Sequence, residues 1–94
     1  MPNIQDTYGE VEWLLLRPHL MKDSLIVVNQ ELDLLTVAKA VAENQVDQIG
    51  QWIQEGKVGK PTAAQISTWD QNGERRFYSV VVMPFVLIQE LRQH

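Results

Sequence analysis

Cysteine is absent from this chain, which excludes disulfide scaffolds, thiolate metal sites and thiol nucleophiles and agrees with a reducing compartment. Histidine is nearly as scarce. His19 and His94 are the only two, whereas a zinc site draws three or four ligands from Cys, His and carboxylates. Basic residues are also in short supply: eight Lys and Arg stand against twelve Asp and Glu, for a net charge of −4. Nucleic-acid binders show the opposite balance, because neutralising phosphates takes a basic patch. Lys57 with Lys60 and Arg75 with Arg76 flank turns and read as solvated surface, so no nucleic-acid partner is expected. No apolar run reaches the ~18 residues of a membrane helix, and no membrane association is expected. The opening MPNIQDTYGE has neither the basic start nor the apolar core of a secretory signal. A cytoplasmic location is the expectation.

What the chain does have is a core's worth of apolar residues. Of its 94 residues 45% are hydrophobic and 21% charged, which fits a globular protein rather than a disordered one. Two separate cores would each be too small, so one domain is expected over 1–94, with 1–6 disordered and 91–94 frayed.

Four helices are predicted. In TYGEVEWLLL, Thr7 caps and Glu10 reaches back as a capping box, with Val11, Leu14 and Leu15 as the buried stripe. Arg17-Pro18 should end or kink this helix, since the residue before proline avoids the helical region. A second helix begins at the cap Asp33, with Thr36 at its third position and Leu34, Val37, Ala38 and Val41 inward. A third spans NQVDQIGQWIQEG, with Val46, Ile49, Trp52 and Ile53 on one side and Gly56 as a left-handed stop. Gly50 in its middle costs about 1 kcal/mol relative to alanine, a cost that close packing would offset. The fourth is TAAQISTWDQNG, capped by Thr62 with Gln65, a peripheral helix with Ile66 and Trp69 as its apolar face.

The strands are fewer. Leu25 to Asn29 is short, apolar and β-branched, and reads as a strand buried on both faces. In the stretch from Phe77 to Ile88 every residue but Ser79 and Pro84 is apolar. Phe77, Ser79, Val81 and Met83 point one way, Tyr78, Val80 and Val82 the other, and both faces are greasy. A strand from Phe77 to Val82, a break at Pro84 and a second extended piece from Phe85 to about Gln89 are expected. A helix opened by Pro84 is the alternative for that second piece. The fold class is therefore α+β, with about four short helices packed on a two- or three-stranded sheet.

Helices on one face of such a sheet leave the other to be covered. A second copy of the chain is the expected cover, and the alternative is a monomer whose helices wrap both faces. The interface is assigned to Phe77, Tyr78, Val80, Val82, Phe85 and Leu87.

Chemistry is harder to find. GKVGK at Gly56 to Lys60 has two residues where a phosphate-binding loop needs four between its glycines, and Pro61 follows the lysine. The serines and threonines carry no nucleophile signature. The tryptophans Trp13, Trp52 and Trp69 sit on apolar helical stripes and read as core. One polar constellation stands out: Glu31 and Asp33 flank Leu32, so in an extended segment their carboxylates point the same way. Such a pair can hold Mg²⁺ or share a proton, and His19 is the base that would complete it, although Asp33 has a competing use as a helix cap. No cofactor is expected.

Three segments in order, Glu31 to Leu34, Trp52 to Gly56 and Val80 to Glu90, resemble a family of small bacterial proteins, domain of unknown function 2288. Its pattern has ELDL before an alanine-rich helix, then W-I-x-x-G, then VVV-x-P-(W/F/Y)-VL-(I/V)-QE. Phe85 stands where the family often has tryptophan. The resemblance implies a bacterial setting and carries no catalytic residue, cofactor or substrate. Two functions follow. The first is a non-enzymatic interaction domain that self-associates through its C-terminal strands. The second is a small-ligand or enzymatic domain with its site at Glu31, Asp33 and His19, where Lys57 to Lys60 would hold an anionic group.

Overall fold

The apolar tail becomes the centre of a five-stranded sheet. In the computed structural model, which describes residues 8–91, β4 (Arg76–Val82) and β5 (Phe85–Glu90) form an antiparallel hairpin turned by Met83 and a cis Pro84. Proline's missing N–H is harmless in that turn, where no ladder bond is lost. β5 then pairs in parallel with β2 (Leu25–Val28), Leu25 opposite Val86. The sheet is finished by β1 (Gly9–Glu12) beside β4 and the two-residue β3 (Val58–Gly59) beside β2, in the order β1-β4-β5-β2-β3.

The sheet is thus larger than the two or three strands expected, and helices cover both of its faces. On one face α1 (Trp13–Met21) and α4 (Ala63–Asp70) pack Trp13, Leu16 and Trp69 onto Leu25, Phe77, Val86 and Ile88. On the other, α2 (Leu34–Ala42) and α3 (Val46–Gln54) face Val28, Val80 and Leu87. A central strand between two helical layers has no wet side, which is why β5 is apolar at consecutive positions.

The capping signals of α2 and α4 act as read. Asp33 accepts from the Thr36 amide at 3.1 Å, and Thr62 and Gln65 close a reciprocal box at 3.1 and 2.9 Å. Gly56 takes φ 74° just past α3, the left-handed stop expected. The first helix differs. Gly9–Glu12 is a strand, paired from Gly9 opposite Ser79 to Glu12 opposite Arg76, and α1 starts only at Trp13. Its buried positions are Trp13 and Leu16, while Leu14 and Leu15 are exposed. The helix also runs through Pro18 instead of ending there. Proline forfeits the bond to the Leu14 carbonyl, and the burial of Trp13 and Leu16 on the same helix offsets that loss. Thr7, the expected disorder of 1–6, His94 and the fraying over 92–94 lie outside the described residues.

Two carboxylates fasten the aromatic layer. Asp70 accepts from the Trp13 indole Nε1 at 2.7 Å and from Arg17 at 2.9 and 3.1 Å. Glu90 accepts from the Trp69 indole at 2.9 Å and from Arg75 at 3.0 Å. Gln89, at 9% exposure, donates to the carbonyls of Asn29 and Leu32 at 2.9 and 2.6 Å, tying the end of β5 to the loop before α2.

The first clasp gives the protein an acid-sensitive contact. Hydrogen bonds from Arg17 and then Trp13 hold the Asp70 carboxyl below its ordinary value of 3.8. A carboxylate favoured in the folded state stabilises fully above the unfolded value, and the contribution is lost as pH falls through the lowered folded value. Asp70→Asn keeps an oxygen for Trp13 but loses the charge. We expect it to lower the melting temperature at pH 7, with the difference from the wild type shrinking as falling pH protonates the Asp70 carboxyl, in thermal scans from neutral into acid.

Candidate functional site

The polar constellation is divided between elements on the two faces of the sheet. His19 lies on α1, before β2, where its carbonyl accepts from the amide and hydroxyl of Ser24 at 3.1 Å. Glu31 and Asp33 follow β2 and lead into α2, on the opposite side of the sheet. Asp33 spends one oxygen on both the amide and the hydroxyl of Thr36, at 3.1 and 2.8 Å. Glu31 is solvent-facing and lies 3.8 Å from Lys57. Among the described residues no three His, Asp or Glu side chains cluster as a metal would require. Nor does any buried side-chain nitrogen or oxygen lack a partner there, so no orphaned polar group marks a site.

The Lys57–Lys60 segment is edge strand β3 with its flanks. It borders an open hollow of about 300 Å³ shared with Asn29, Thr62 and Gln65. Both lysines already face acids, Lys57 facing Glu31 and Lys60 at 2.5 Å from Asp23.

The expected interface residues divide. Phe77, Val80 and Leu87 are 0% exposed within one chain, so the protein's own helices take the contacts assigned to a partner. Tyr78 and Val82 are half-buried, Tyr78 stacking on Tyr8 at 5.8 Å. Phe85, at 37%, remains open.

Phe85 is one wall of the feature that sequence reasoning missed. α3 carries its apolar residues on one side, yet none of its residues is buried; Val46 is 72% and Ile53 55% exposed. The helix is anchored mainly to α2 and β3 and stands off from β5. Between them runs a groove of about 420 Å³, with Ile26 and Leu87 below, Phe85 on one side and Val46, Ile49 and Ile53 on the other. Asn44 and Lys60 are its polar members. Such a surface can remove apolar atoms from water, at about 25 cal/mol per Å²; its one ionisable lining residue, Lys60, is paired with Asp23. The Val46–Ile49–Ile53 spacing was legible as an apolar stripe. What it faces depends on how far α3 lies from the sheet, which local pattern does not encode.

A family model described as "Protein of unknown function (DUF2288)" matches residues 2–90. The chain is similar to the solution structure of PA1075 from Pseudomonas aeruginosa, with a TM-score of 0.84 and 26% identity over 96% of this chain and 82% of that one. Among the curated proteins none matches. No helix among the described residues is long and apolar enough to cross a membrane.

Proposed function

The chain belongs to the family described as "Protein of unknown function (DUF2288)", so its role is read from geometry, and we propose that it is a non-enzymatic interaction domain that pairs with a second copy of itself across the α3 groove. The observation that carries this is an amphipathic helix with no buried residue beside an apolar recess. In water a helix of nine residues is marginal without packing on its apolar face, and contiguous exposed apolar surface is the mark of an interaction site.

The occupant favoured is the same chain because the surface complements itself. Val46, Ile53 and Phe85 stand proud as ridges beside the recess. A two-fold apposition seats the ridges of each copy in the recess of the other, the isologous arrangement commonest among oligomers. The separation of His19 from Glu31 and Asp33 supports binding over catalysis. The same reading sets the protein in a bacterial cytoplasm.

Sedimentation equilibrium across the micromolar range tests the proposal. The wild type is expected to dimerise, and Val46→Glu with Ile53→Glu, both at exposed positions that the fold tolerates, is expected to be monomeric with unchanged circular dichroism. A wild type monomeric throughout would sink the reading. A monomer whose melting temperature rises with a long-chain amphiphile would instead give the groove to an apolar ligand, for which its volume lies within the usual range of roughly 300–1,000 Å³.

A further inference from the structure

Asparagine followed by glycine occurs once in the chain, at Asn72-Gly73. The pair lies past the end of α4, in the turn that leads to β4, and Asn72 is exposed. Glycine has no β-carbon to crowd the approach to its own backbone nitrogen. That nitrogen is also unengaged: the Gly73 N–H donates to no acceptor among the described residues. The Asn72 side chain, by contrast, is held, its Oδ1 accepting from the Glu74 amide at 3.2 Å. We infer that Asn72 is a modification site, where the chain deamidates spontaneously through attack of the Gly73 nitrogen on the side-chain amide, and that the product loosens the start of α1.

The chemistry needs only water and hydroxide. Hydroxide takes the Gly73 amide proton, the nitrogen bonds to Asn72 Cγ, and negative charge develops on Oδ1. The Glu74 N–H already bonded to that oxygen stabilises the charge as an oxyanion-hole donor does. The Cγ–Nδ2 bond then breaks, and Nδ2 leaves as ammonia with a proton from water, which restores the hydroxide. Water opens the succinimide that remains. Cleaving the nitrogen from the side-chain carbonyl leaves an aspartyl residue; cleaving it from the main-chain carbonyl leaves an isoaspartyl residue, with an extra methylene in the backbone. Gly73 has no room for that insertion. A β-carbon built there would lie 2.6 Å from Leu14 Cγ. The first amides of a helix have no partner inside it, and here the Gly73 and Arg75 carbonyls accept from Leu14 and Trp13 at 3.1 and 2.8 Å. A longer backbone at position 72 displaces both acceptors, and with them the first turn of α1 that places Trp13 in the core.

Ageing the full chain at mildly alkaline pH, followed by peptide mapping with mass spectrometry, tests this. Asn29 and Asn44 are exposed as well but precede glutamines, and they serve as internal controls. Asn72 is expected to convert faster than either by roughly tenfold or more, to aspartyl and isoaspartyl products, at a rate that climbs with pH. The isoaspartyl fraction, separated chromatographically, is expected to melt below the fresh protein by about 4 °C or more, the shift of a small domain that has lost a pair of internal hydrogen bonds. Asn72→Gln, whose longer side chain must close a larger ring, is expected to stay unmodified. Asn72→Asp, which adds the charge without the methylene, is expected to melt above the isoaspartyl fraction. Equal conversion at the three asparagines would remove the site. An isoaspartyl fraction that melts with the fresh protein would remove its coupling to α1.

Discussion

Phe77→Ala is expected to cost about 3–5 kcal/mol of folding stability, the range for emptying an aromatic site in a packed core. The residue is 0% exposed at the meeting of both helices on its face of the sheet. The Trp69 ring meets it edge-on with centroids 4.8 Å apart, and the Trp13 ring is tilted at 5.9 Å. The tryptophans also meet each other, at 5.0 Å. Each indole is held by a carboxylate, Trp13 by Asp70 and Trp69 by Glu90. Neither ring can therefore slide into the hole without giving up a hydrogen bond that its buried N–H has nothing else to satisfy. That fixed frame argues for the upper part of the range. A domain of 94 residues has about 5–14 kcal/mol in all, so the variant should lose about a fifth of it or more. Urea unfolding measures this as a fall in the midpoint at constant slope. A loss under about 1 kcal/mol would mean that the rings collapse freely and the clasps do not fix them.

How much of this was legible beforehand depended on whether the signal was local. Asp33 before Leu34, and Thr62 three residues before Gln65, are complete statements about helix starts, because cap and amide are neighbours in the chain. Pro84 inside an apolar run located the break between β4 and β5 for the same reason. The first segment misled because Thr7 and Glu10 have a capping box's spacing, whereas Glu10-Val11-Glu12 also alternates as an edge strand does. Pairing with β4 decides between them, and β4 lies more than sixty residues away. β3 is two residues long and has no periodicity to read. The parallel pairing of β2 with β5 joins segments far apart in sequence, so a sheet of five strands looked like one of two or three. Alternation sorted Tyr78, Val80 and Val82 correctly onto one face and Phe77 and Ser79 onto the other. It could not say who covers each face. The candidate site fared likewise: the stripe of α3 was visible, and the gap beneath it was a consequence of tertiary placement.

Leu87→Ala and Phe85→Ala should therefore behave as opposites, although both side chains belong to β5 two residues apart and both border the groove. Leu87 is 0% exposed, packed with Val28, Val37 and Val80 beneath α2. Its truncation opens a cavity in a layer the chain closes by itself, and about 2–5 kcal/mol of stability should be lost. Phe85 sits next to the hairpin turn, opposite Val82, with over a third of its surface open to water. Its truncation should cost the isolated fold about 1 kcal/mol or less, as at other surface positions. In the proposed dimer the order reverses, because an aromatic ridge seated in a partner's recess is the kind of residue that carries binding energy. Urea unfolding in dilute solution and sedimentation equilibrium, run on both variants, separate the two roles. Phe85→Ala should keep its unfolding midpoint and dissociate; Leu87→Ala should lose its midpoint first. Were Phe85→Ala to unfold as readily as Leu87→Ala and still associate like the wild type, Phe85 would belong to the core, and the groove would lose the wall on which a partner is proposed to rest.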